Sequence, residues 1–588
     1  MTTTEKFAVA QSTARKVWAL TTPYFSSEEK WKARLLLTAI IALNLGSVYM
    51  AVLFNDWYKL FYDALQVKNE TVFWEQLIRF TYIAFGAIIV AVYKFYLTQL
   101  LELRWRSWMT KHYLKRWLTG TAFYRMELAR FSAETKTPDN PDQRIQEDLN
   151  LFTSYSVSLT MGLLNAVVTL VTFVGILWSL SGGFTFTVGG ETYELHGAMV
   201  WAAIVYCVAG SVITHFIGRP QIGLNFQQQR LEADFRHHMV RVREYSEAIA
   251  LDRGQSVERE HLDTRFLAVL GNYLRLIRAR KNLIWFNSFF AQAALIYPFI
   301  VAAPRYFSGT IQLGVLMQIV DVFGRVQDSL AWFVDNYSTL AIWRATTDRL
   351  TSFEESVRAE TRDSELQVEP ADAGLAVHDL SLALPTGAVL ASGLNLAVAP
   401  GDTVLLTGPS GSGKSTLFRA FAGIWPFARG KVEAPAEMMA IPQNPYFPDG
   451  SLRAALAYPE PAATYDDDTL KRALEDALLP ELASRLDVED AWSQKLSGGE
   501  RQRLALARVF LKQPRWVLAD EATSALDAAA EATLYQRLLA MVKRKGGALV
   551  SIAHRPSIEG LHHRRWELAP RPEDGGARWQ LQQTSAPA

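Results

Sequence analysis

Long apolar segments alternate with polar, arginine-rich segments over roughly the first 345 residues of the chain. A helix that crosses a bilayer needs roughly 20 mostly apolar residues. Five segments meet this requirement: about 35–54, 80–101, 158–180, 198–218 and 283–303. So many long apolar runs favour membrane spans over the buried helices of a soluble core. The first half of the chain is therefore predicted to be a membrane domain.

A sixth segment, about 315–336, is long enough to span a membrane but is polar along one side. Its polar residues recur every three or four positions, which places them on one face of a helix. Because charges facing lipid cost on the order of a few kcal/mol, this face should line water or other helices. Three interpretations stay open: a hydrophilic substrate cavity, an internal salt-bridge seam, and a helix whose charged part already lies beyond the bilayer. The candidate cavity residues are Gln318, Asp321, Arg325, Asp328 and Asp335.

The distribution of Lys and Arg predicts the orientation of these six spans. Segments 1–34, 102–157 and 219–282 hold 27 of these residues, whereas the intervening loops 55–79, 181–197 and 304–313 hold 4. Positive residues favour the cytoplasmic side, so both ends of the six-helix unit are predicted to be cytoplasmic. The two long cytoplasmic segments have Leu- and Arg-rich patterns, which predict helices that extend well beyond the bilayer. Lys94, near the cytoplasmic end of the second span, is expected to snorkel.

Composition narrows the possible classes of protein. The formal net charge of +1 gives no basic excess that would indicate nucleic-acid binding, and the single cysteine, Cys207, excludes a disulfide within one chain. With 588 residues the chain is too long for one compact core. The predicted organisation is a cytoplasmic N-terminal segment, a membrane domain, an acidic, apolar-poor linker and a soluble α/β domain, at residues 1–30, 31–350, 351–374 and 375–588.

A glycine-rich loop, GPSGSGKS, runs from Gly408 to Ser415 between the apolar strand TVLLT and a helical segment. It fits the phosphate-loop pattern in the required context. Its backbone N–H groups would surround phosphates, Lys414 would reach the β- and γ-phosphates, and Ser415 would offer its hydroxyl to Mg²⁺. The predicted nucleotide-contacting residues of this loop are Gly408, Pro409, Ser410, Gly411, Ser412, Gly413, Lys414, Ser415 and Thr416.

Two carboxylates, Asp520 and Glu521, directly follow the apolar strand that contains Val517–Ala519. Asp520 suits the coordination shell of Mg²⁺, and Glu521 is placed to polarise the attacking water as a general base. A solvated acidic turn is the weaker alternative, because both carboxylates come directly after a buried strand.

These residues belong to a set that resembles the ABC ATPases. LSGGE (Leu496–Glu500) resembles their signature sequence, SALD (Ser524–Asp527) resembles their D-loop, and Gln443 and His554 match the Q-loop glutamine and the switch histidine. The resemblance implies that Gln443 contacts Mg²⁺ together with Ser415 and Asp520, and that His554 contacts the γ-phosphate. Residues implied to bind nucleotide from the signature and the D-loop are Ser497, Gly498, Gly499 and Asp527, with Ser497 and Gly499 acting on the partner's ATP.

The chain holds one phosphate loop and one signature, so the resemblance implies a dimer, most simply a homodimer, with two composite ATP sites. Members of the family usually place an aromatic residue before the phosphate loop to stack on adenine. Residues 380–393 contain no aromatic residue. The adenine contact is therefore open, with Leu384 and Pro385 as apolar candidates.

Six spans followed by one ATPase domain resemble a half-transporter of exporter-type (type IV) ABC architecture. The segments Asn55–Gln66, Leu103–Leu118 and Asn140–Asp148 are similar to bacterial BacA/SbmA uptake proteins and to peroxisomal fatty-acyl ABC transporters. The ATPase domain makes the chain similar to the ATP-driven branch. This resemblance implies uptake of hydrophilic solutes, namely antimicrobial-type peptides or corrinoid-like compounds, across the bacterial inner membrane, with the ATPase domain in the cytoplasm.

The polar face of the sixth span bears on the class of substrate. Three Asp and one Arg give it a charge of −2 per chain, which would favour cationic peptides if the face lines a cavity. A fatty-acyl pathway would instead need an apolar surface. Transport of fatty-acyl or lipid substrates, export of an amphiphile, and an ATP-gated channel or sensor remain as alternatives.

The stretch NPDQRIQED (Asn140–Asp148) is predicted to start a helix. Asn140 would cap it, Pro141 suits the first helical position, and Arg144 would pair with Glu147 or Asp148. Because exporter-type ABC proteins carry the first helix that contacts the ATPase between spans two and three, we expect this stretch to couple the two domains.

Overall fold

The computed structural model describes residues 3–129, 131, 140–181, 183–188, 191–360, 365–372, 374–571 and 576–585. The chain divides into two compact units. The first comprises Met1–Lys115 and Pro138–Glu354, and the second comprises Arg116–Thr137 and Glu355–Ala588.

The first unit is built mainly from long helices. Their bounds are α1 Thr3–Phe25, α2 Lys30–Val67, α3 Glu70–Trp117, α5 Pro141–Gln143, a π-helical turn Arg144–Asp148, α6 Leu149–Ser181, α7 Ala198–Glu244, α8 Ser246–Leu251, α9 Gln255–Phe307, α10 Leu313–Asp335 and α11 Tyr337–Glu360, while α4 Ala122–Ala129 belongs to the second unit. An antiparallel hairpin, β1 Gly183–Val188 and β2 Glu191–His196, joins α6 to α7.

Five helical segments of the described chain are long and apolar enough to cross a membrane: α2, α3, the continuous segment Pro141–Ser181, α7 and α9. They contain the five predicted apolar spans. The sixth predicted span is α10, whose two ends differ from the predicted bounds by two residues or fewer. With 53 residues, α9 is about 80 Å long, far longer than a hydrocarbon core of about 30 Å. The helices therefore extend well beyond the bilayer, as the sequence predicts.

Helix α10 lies at the centre of the membrane core. Its apolar face, which includes Ile319, Phe323 and Val326, is fully buried against side chains of α2, α6, α7 and α9. Its first turn is capped by α2, since Gln66 and Asp63 accept hydrogen bonds from the backbone N–H groups of Leu313 (2.6 Å) and Gly314 (2.9 Å). A side chain at Gly314 would collide with α2, because a Cβ there would lie 2.1 Å from the carbonyl oxygen of Lys59.

The second unit consists of strands and shorter helices, and its described elements continue the numbering. They are β3 Leu366–Pro370, β4 Leu375–Ala383, β5 Val389–Val398, β6 Thr403–Thr407, α12 Lys414–Phe421, β7 Ala428–Ala434, β8 Met438–Ile441, β9 Gly450–Ser451, α13 Leu452–Ala457, α14 Asp467–Asp476, β10 Glu489–Asp490, α15 Trp492–Lys495, α16 Gly498–Lys512, β11 Trp516–Asp520, α17 Ala528–Arg544, β12 Ala548–Ile552, α18 Pro556–Glu559, β13 Arg564–Pro570 and β14 Trp579–Ser585. Short 3₁₀ helices cover Ala462–Thr464 and Pro480–Arg485.

Two larger sheets form the framework of this unit. The six-stranded sheet has the order β14-β13-β6-β12-β11-β8 and is parallel except for the β13–β14 pair. The four-stranded sheet has the order β3-β7-β4-β5. One hydrophobic core fills the space around α12 and both sheets, and a second lies among α13, α14, α16 and α17. The carboxyl ends of the buried parallel strands β6 and β11 carry the phosphate loop and the acidic pair.

The predicted linker, residues 351–374, is folded at both ends. Helix α11 continues to Glu360 because Leu350, Phe353 and Val357, at helical spacing, are fully buried. Strand β3 then pairs in parallel with β7, and its Leu366 is buried. A few well-placed apolar residues in an acidic segment are enough to anchor it, which differs from the prediction of a linker throughout.

The predicted coupling stretch belongs to the first unit, and its charges pair within that unit. Asp148 is buried and pairs with Arg144 at 2.7 Å and with Arg349 of α11 at 2.5 Å. Pro141 does begin a helix and Arg144 does pair with Asp148, but Asn140 makes no side-chain capping bond to a described residue. The charges of this stretch therefore fasten α6 to α11.

A different element between spans two and three packs on the ATPase fold, namely α4. Ala122, Met126 and Ala129 form its buried face, and Leu128 packs against the core that surrounds α12. Burial raises the pKa of Tyr124, and the charge of Arg419 on α12 opposes that rise. Helix α4 is thus a segment between spans two and three that belongs to the second unit and that the sequence does not single out.

Candidate functional site

The phosphate loop connects β6 to α12 through glycines in conformations that other residues rarely adopt. Gly408, Gly411 and Gly413 have φ angles of 147°, 77° and 93°. A Cβ on Gly408 would lie 2.9 Å from the carbonyl oxygen of Leu568. The loop therefore needs glycine for both its backbone angles and its close packing.

Lys414 and Ser412 have side chains that suit a bound phosphate. The ammonium group of Lys414 donates to the carbonyl oxygens of Gly408 (2.9 Å) and Pro409 (3.0 Å), and burial lowers its pKa. The hydroxyl of Ser412 is buried without a hydrogen-bond partner among the described residues. A buried hydroxyl and a partly desolvated ammonium together favour an anion in the loop.

Asp520 and Ser415 face each other across this loop. Burial raises the pKa of Asp520, whereas the hydrogen bond from Ser415 lowers it and the nearby Glu521 raises it. A divalent cation would offset the burial of this carboxylate, and a carboxylate beside a hydroxyl is an all-oxygen donor set of the kind that Mg²⁺ prefers. These residues therefore fit Mg²⁺.

Glu521, Gln443 and His554 are brought together although they are far apart in sequence. The Gln443 amide donates to Oε2 of Glu521 at 2.8 Å, and Nε2 of His554 lies 3.2 Å from Oε1 of the same carboxylate. Glu521 adopts a left-handed backbone angle, φ 47°, directly after β11, and its N–H donates to the carbonyl oxygen of Ile552 on β12. The backbone thus aims this carboxylate at the Q-loop and switch residues.

The signature and the D-loop form a second group within the chain. Ser497 caps α16 in a reciprocal capping box with Glu500. A Cβ on Gly499 would lie 3.2 Å from the carbonyl oxygen of Ala525, so the signature packs directly on the D-loop. Asp527 accepts hydrogen bonds from the N–H groups of Ala529 and Ala530 and so caps α17, a structural role beyond the predicted nucleotide contact.

Two polar residues of α16 that the sequence does not single out make hydrogen bonds in this region, and Gln502 joins Glu521 to the D-loop. Gln502 donates to the carbonyl oxygen of Glu521 (3.2 Å) and to Oγ of Ser524 (3.0 Å), and accepts from the N–H of Ala525 (2.8 Å). Arg508, whose pKa burial lowers to about 10, donates to the carbonyl oxygens of Ala455 and Tyr446. Both residues are polar but lie on the apolar side of the amphipathic helix α16. This unusual position is the signal in the sequence by which they could have been found.

The polar face of α10 forms a seam with α2 over half of its length. Gln318 is only 5% exposed, and its amide donates to Oδ1 of Asn55 at 2.8 Å. Asn55 in turn donates to Asp321 at 2.8 Å, and Asp321 pairs with Arg325 at 3.0 Å. Gln318 is therefore corrected from a cavity residue to a buried link between helices, because Asn55 of α2 accepts from its side-chain amide and donates to its backbone carbonyl oxygen.

The other half of this face is exposed and reaches a cavity. Asp328 and Asp335 are exposed, and Asp335 lines a cavity of about 480 Å³ between α7, α9 and the start of α11. Most of the lining side chains can form hydrogen bonds: Thr214, His215, Arg219, Gln221, Asn225, Asn287, Asp335, Tyr337 and Ser338. The first unit thus has a cavity with many hydrogen-bonding side chains, and among the predicted stripe residues it is Asp335 that lines it.

Lys94 does not simply snorkel. Its ammonium group donates to Oδ1 of Asn44 at 3.0 Å, and the fully buried Asn44 donates to the carbonyl oxygen of Met161 at 2.9 Å. The prediction that Lys94 snorkels is wrong because a polar partner, Asn44 of α2, lies at the same depth. The sequence of α3 alone does not show this partner.

Comparison with known families gives two matches along the chain. Residues 20–307 match the family described as "ABC transporter transmembrane region 2", and residues 391–524 match the family described as "ABC transporter". The two matches cover the two units in the order that the helices and sheets show.

Curated relatives match over most of their length. The "Inner membrane ABC transporter ATP-binding protein YddA" of Escherichia coli is 33% identical over 93% of this chain and 96% of its own. The "ABC transporter D family member 2, chloroplastic" of Arabidopsis thaliana is 32% identical over 97% and 88%. The "Lysosomal cobalamin transporter ABCD4" of Homo sapiens is 28% identical over 82% of both chains.

Among solved structures, the fold is similar to that of a bacterial Atm1-family ABC exporter with ATP bound. The TM-score is 0.70, the alignment covers 94% of this chain and 95% of the other, and the identity is 18%.

Proposed function

Because this chain belongs to the ABC transporters, close to their D family, and has an exporter-type fold, we propose that it is an ATP-driven half-transporter for hydrophilic solutes. It pairs with a second copy of itself and takes up peptides or corrinoid-like compounds across the bacterial inner membrane. The proposed class of solute rests first on the cavity of about 480 Å³ in the first unit, most of whose lining side chains can form hydrogen bonds.

The ATPase chemistry follows from the cluster around Glu521. Its carboxylate accepts from Gln443 and lies beside His554, so all three groups converge where the attacking water and the γ-phosphate would meet. Glu521 acts as the general base, and His554 contacts the γ-phosphate. Lys414 leaves its carbonyl partners for the β- and γ-phosphates.

Ser415, Asp520 and Gln443 would hold Mg²⁺. When bound, the ion would neutralise negative charge on the β- and γ-phosphates. Burial raises the pKa of the half-buried Asp520, so a nearby cation would favour its ionised form.

The choice of solute rests on the polarity of the cavity and on two relatives. Amide, hydroxyl and charged side chains are among those that line the cavity, and they can form the hydrogen bonds that fix the orientation of a hydrophilic solute. A relative named as a lysosomal cobalamin transporter adds support for a corrinoid, and the inner-membrane relative supports the location. Fatty-acyl transport remains the alternative.

The test uses full-length protein in vesicles that contain ATP and Mg²⁺, so that molecules whose ATPase faces the lumen are driven. Labelled cobalamin, a labelled cationic peptide and a fluorescent acyl-CoA are each added outside. We expect cobalamin or the peptide to accumulate above its equilibrium level, and Glu521→Gln to abolish accumulation. Accumulation of acyl-CoA alone, or entry that stops at equilibrium, contradicts the proposal.

A further inference from the structure

A cluster of two histidines and a glutamate lies where α7 and α9 run side by side towards the turn that contains α8. His238 lies on α7, six residues before its end, whereas Glu258 lies in the first turn of α9 and His261 in the second. One ligand atom from each residue lies within 4.8 Å of the other two. Nε2 of His238 and Oε2 of Glu258 are 2.8 Å apart.

The spacing of these residues suits a metal ion better than it suits an ion pair. Glu258 and His261 are three residues apart and so share one face of α9, and both face His238. An ion pair between His238 and Glu258 accounts for two of the three residues. The ring of His261 also lies edge-on to that of His238, with ring centroids 5.8 Å apart, so the cluster brings a second imidazole close to the same carboxylate.

Two imidazoles and one carboxylate are a donor set that binds Zn²⁺ with an open fourth position. Zinc–nitrogen bonds are about 2.0–2.1 Å long, so tetrahedral donors lie roughly 3.4 Å apart. Donor atoms already within 4.8 Å need only small side-chain rotations to reach that arrangement. The side chains of His238 and Glu258 are 15% and 28% exposed, and His261 is exposed, so an ion has a route from solvent.

We propose that His238, Glu258 and His261 bind a divalent transition-metal ion of the Zn²⁺ class. Water fills the fourth coordination position. The site is outside the predicted spans, because His238 is 20 residues beyond the predicted end of the fourth span. Its three residues belong to the first unit, whereas the residues of the nucleotide site belong to the second.

Such an ion would close the tip of the α7–α9 hairpin. His238 and Glu258 are 20 residues apart, and the segment between them contains α8. One turn closer to the membrane, Phe235 and Phe266 already pack against each other with ring centroids 5.4 Å apart. The metal would join α7 to α9 a second time, between this aromatic pair and the turn that contains α8. Both ends of that turn would then be fixed.

The first experiment measures Zn²⁺ binding to full-length, chelator-treated protein that carries no polyhistidine tag, by competition with a chromophoric chelator. We expect one tight site per chain that weakens at least tenfold in both His238→Ala and His261→Ala. The neighbouring exposed His237→Ala is the matched control and should bind as the unmodified protein does. Equal binding in His261→Ala, or no tight binding at all, overturns the proposal.

A second experiment tests the coordination geometry of the bound metal and its effect on the α7–α9 hairpin. Bound Co²⁺ should give the intense visible absorption of a tetrahedral site, and His261→Ala should lose it. Zn²⁺ should slow tryptic cleavage at Arg241, Arg243 and Arg253 in the unmodified protein but not in His261→Ala. Because both experiments omit nucleotide and solute and can be repeated on Glu521→Gln, their failure is distinguishable from failure of the proposed transport function.

Discussion

At the scale of single residues, the phosphate loop and acidic pair could be predicted because their chemistry is local. Asp520 and Glu521 follow a strand directly, and the glycine loop precedes a helix, so neighbours in sequence are neighbours in space. Gln502 could not be assigned in this way, because its partner Ser524 is 22 residues away. The role of an amide depends on what the fold places beside it.

Replacing Gln502 by Met tests its positioning role. The substitution keeps the length of the side chain but removes three hydrogen bonds that fix Glu521, Ser524 and Ala525. We expect the ATPase kcat to fall by about 10-fold or more, since small misplacements of a general base are costly. The exposed Gln494→Met is the control, and an unchanged kcat in Gln502→Met would show that these bonds do not orient the site.

At the scale of elements, long spans could be predicted, whereas short connecting helices could not. About 20 apolar residues in a row indicate one helix whatever surrounds them, so the five apolar spans fall inside observed helices. Helix α4 has eight residues, too few for a periodic pattern to stand out, and its buried face is partly alanine. The charged stretch Asn140–Asp148 is more conspicuous in the sequence as a candidate for coupling the two domains. Its buried Asp148 instead pairs with Arg349 of α11.

The anchoring of α11 by Asp148 leads to a stability prediction. Asp148→Asn removes the charge that two guanidinium groups share in a buried site, and Arg349 owes its raised pKa chiefly to the hydrogen bond with that carboxylate. Removing one partner of a buried pair costs about 3 kcal/mol or more. We expect a clearly lower Tm in thermal unfolding of the detergent-solubilised protein.

The control for this prediction is Glu147→Gln, one residue earlier. Glu147 is exposed and its hydrogen bond with Gln143 spans only one helical turn, so its replacement should leave the Tm nearly unchanged. Equal Tm values for Asp148→Asn and Glu147→Gln would mean that the ion pair does not hold α6 and α11 together.

At the scale of the whole molecule, the sequence predicts a membrane domain followed by an ATPase, and the comparisons confirm that order. It does not predict that residues 116–137 belong to the second unit. Boundaries drawn along the sequence assume contiguous domains. Here the chain leaves the membrane helices, contributes α4 to the ATPase fold and then returns.

The proposed composite sites can be tested with mixed dimers. A Lys414→Ala chain paired with a Ser497→Phe chain should keep one intact site, because the two defects fall in the same composite site. A chain carrying both changes, paired with an unmodified chain, should keep none. Nucleotide trapped with vanadate per purified heterodimer distinguishes the two arrangements.

The opposite pattern, with trapping only in the second heterodimer, would mean that each ATP site is built within one chain. It would contradict the head-to-tail dimer and leave the assignment of the phosphate loop unaffected, since Lys414 would still be required.

The capping of α10 by Asp63 and Gln66 has a mechanical consequence. At the outer ends of the first and sixth spans, side chains of α2 accept hydrogen bonds from backbone N–H groups that have no partner within α10. The two helices are also in direct contact at Gly314. Deeper in the membrane, the Asn55–Gln318 contact joins them again. Because α2 and α10 are joined at these two places, we expect them to move as one unit. An outward opening would then form between this pair of helices and the remaining spans, and a crosslink between α2 and α10 should leave transport intact.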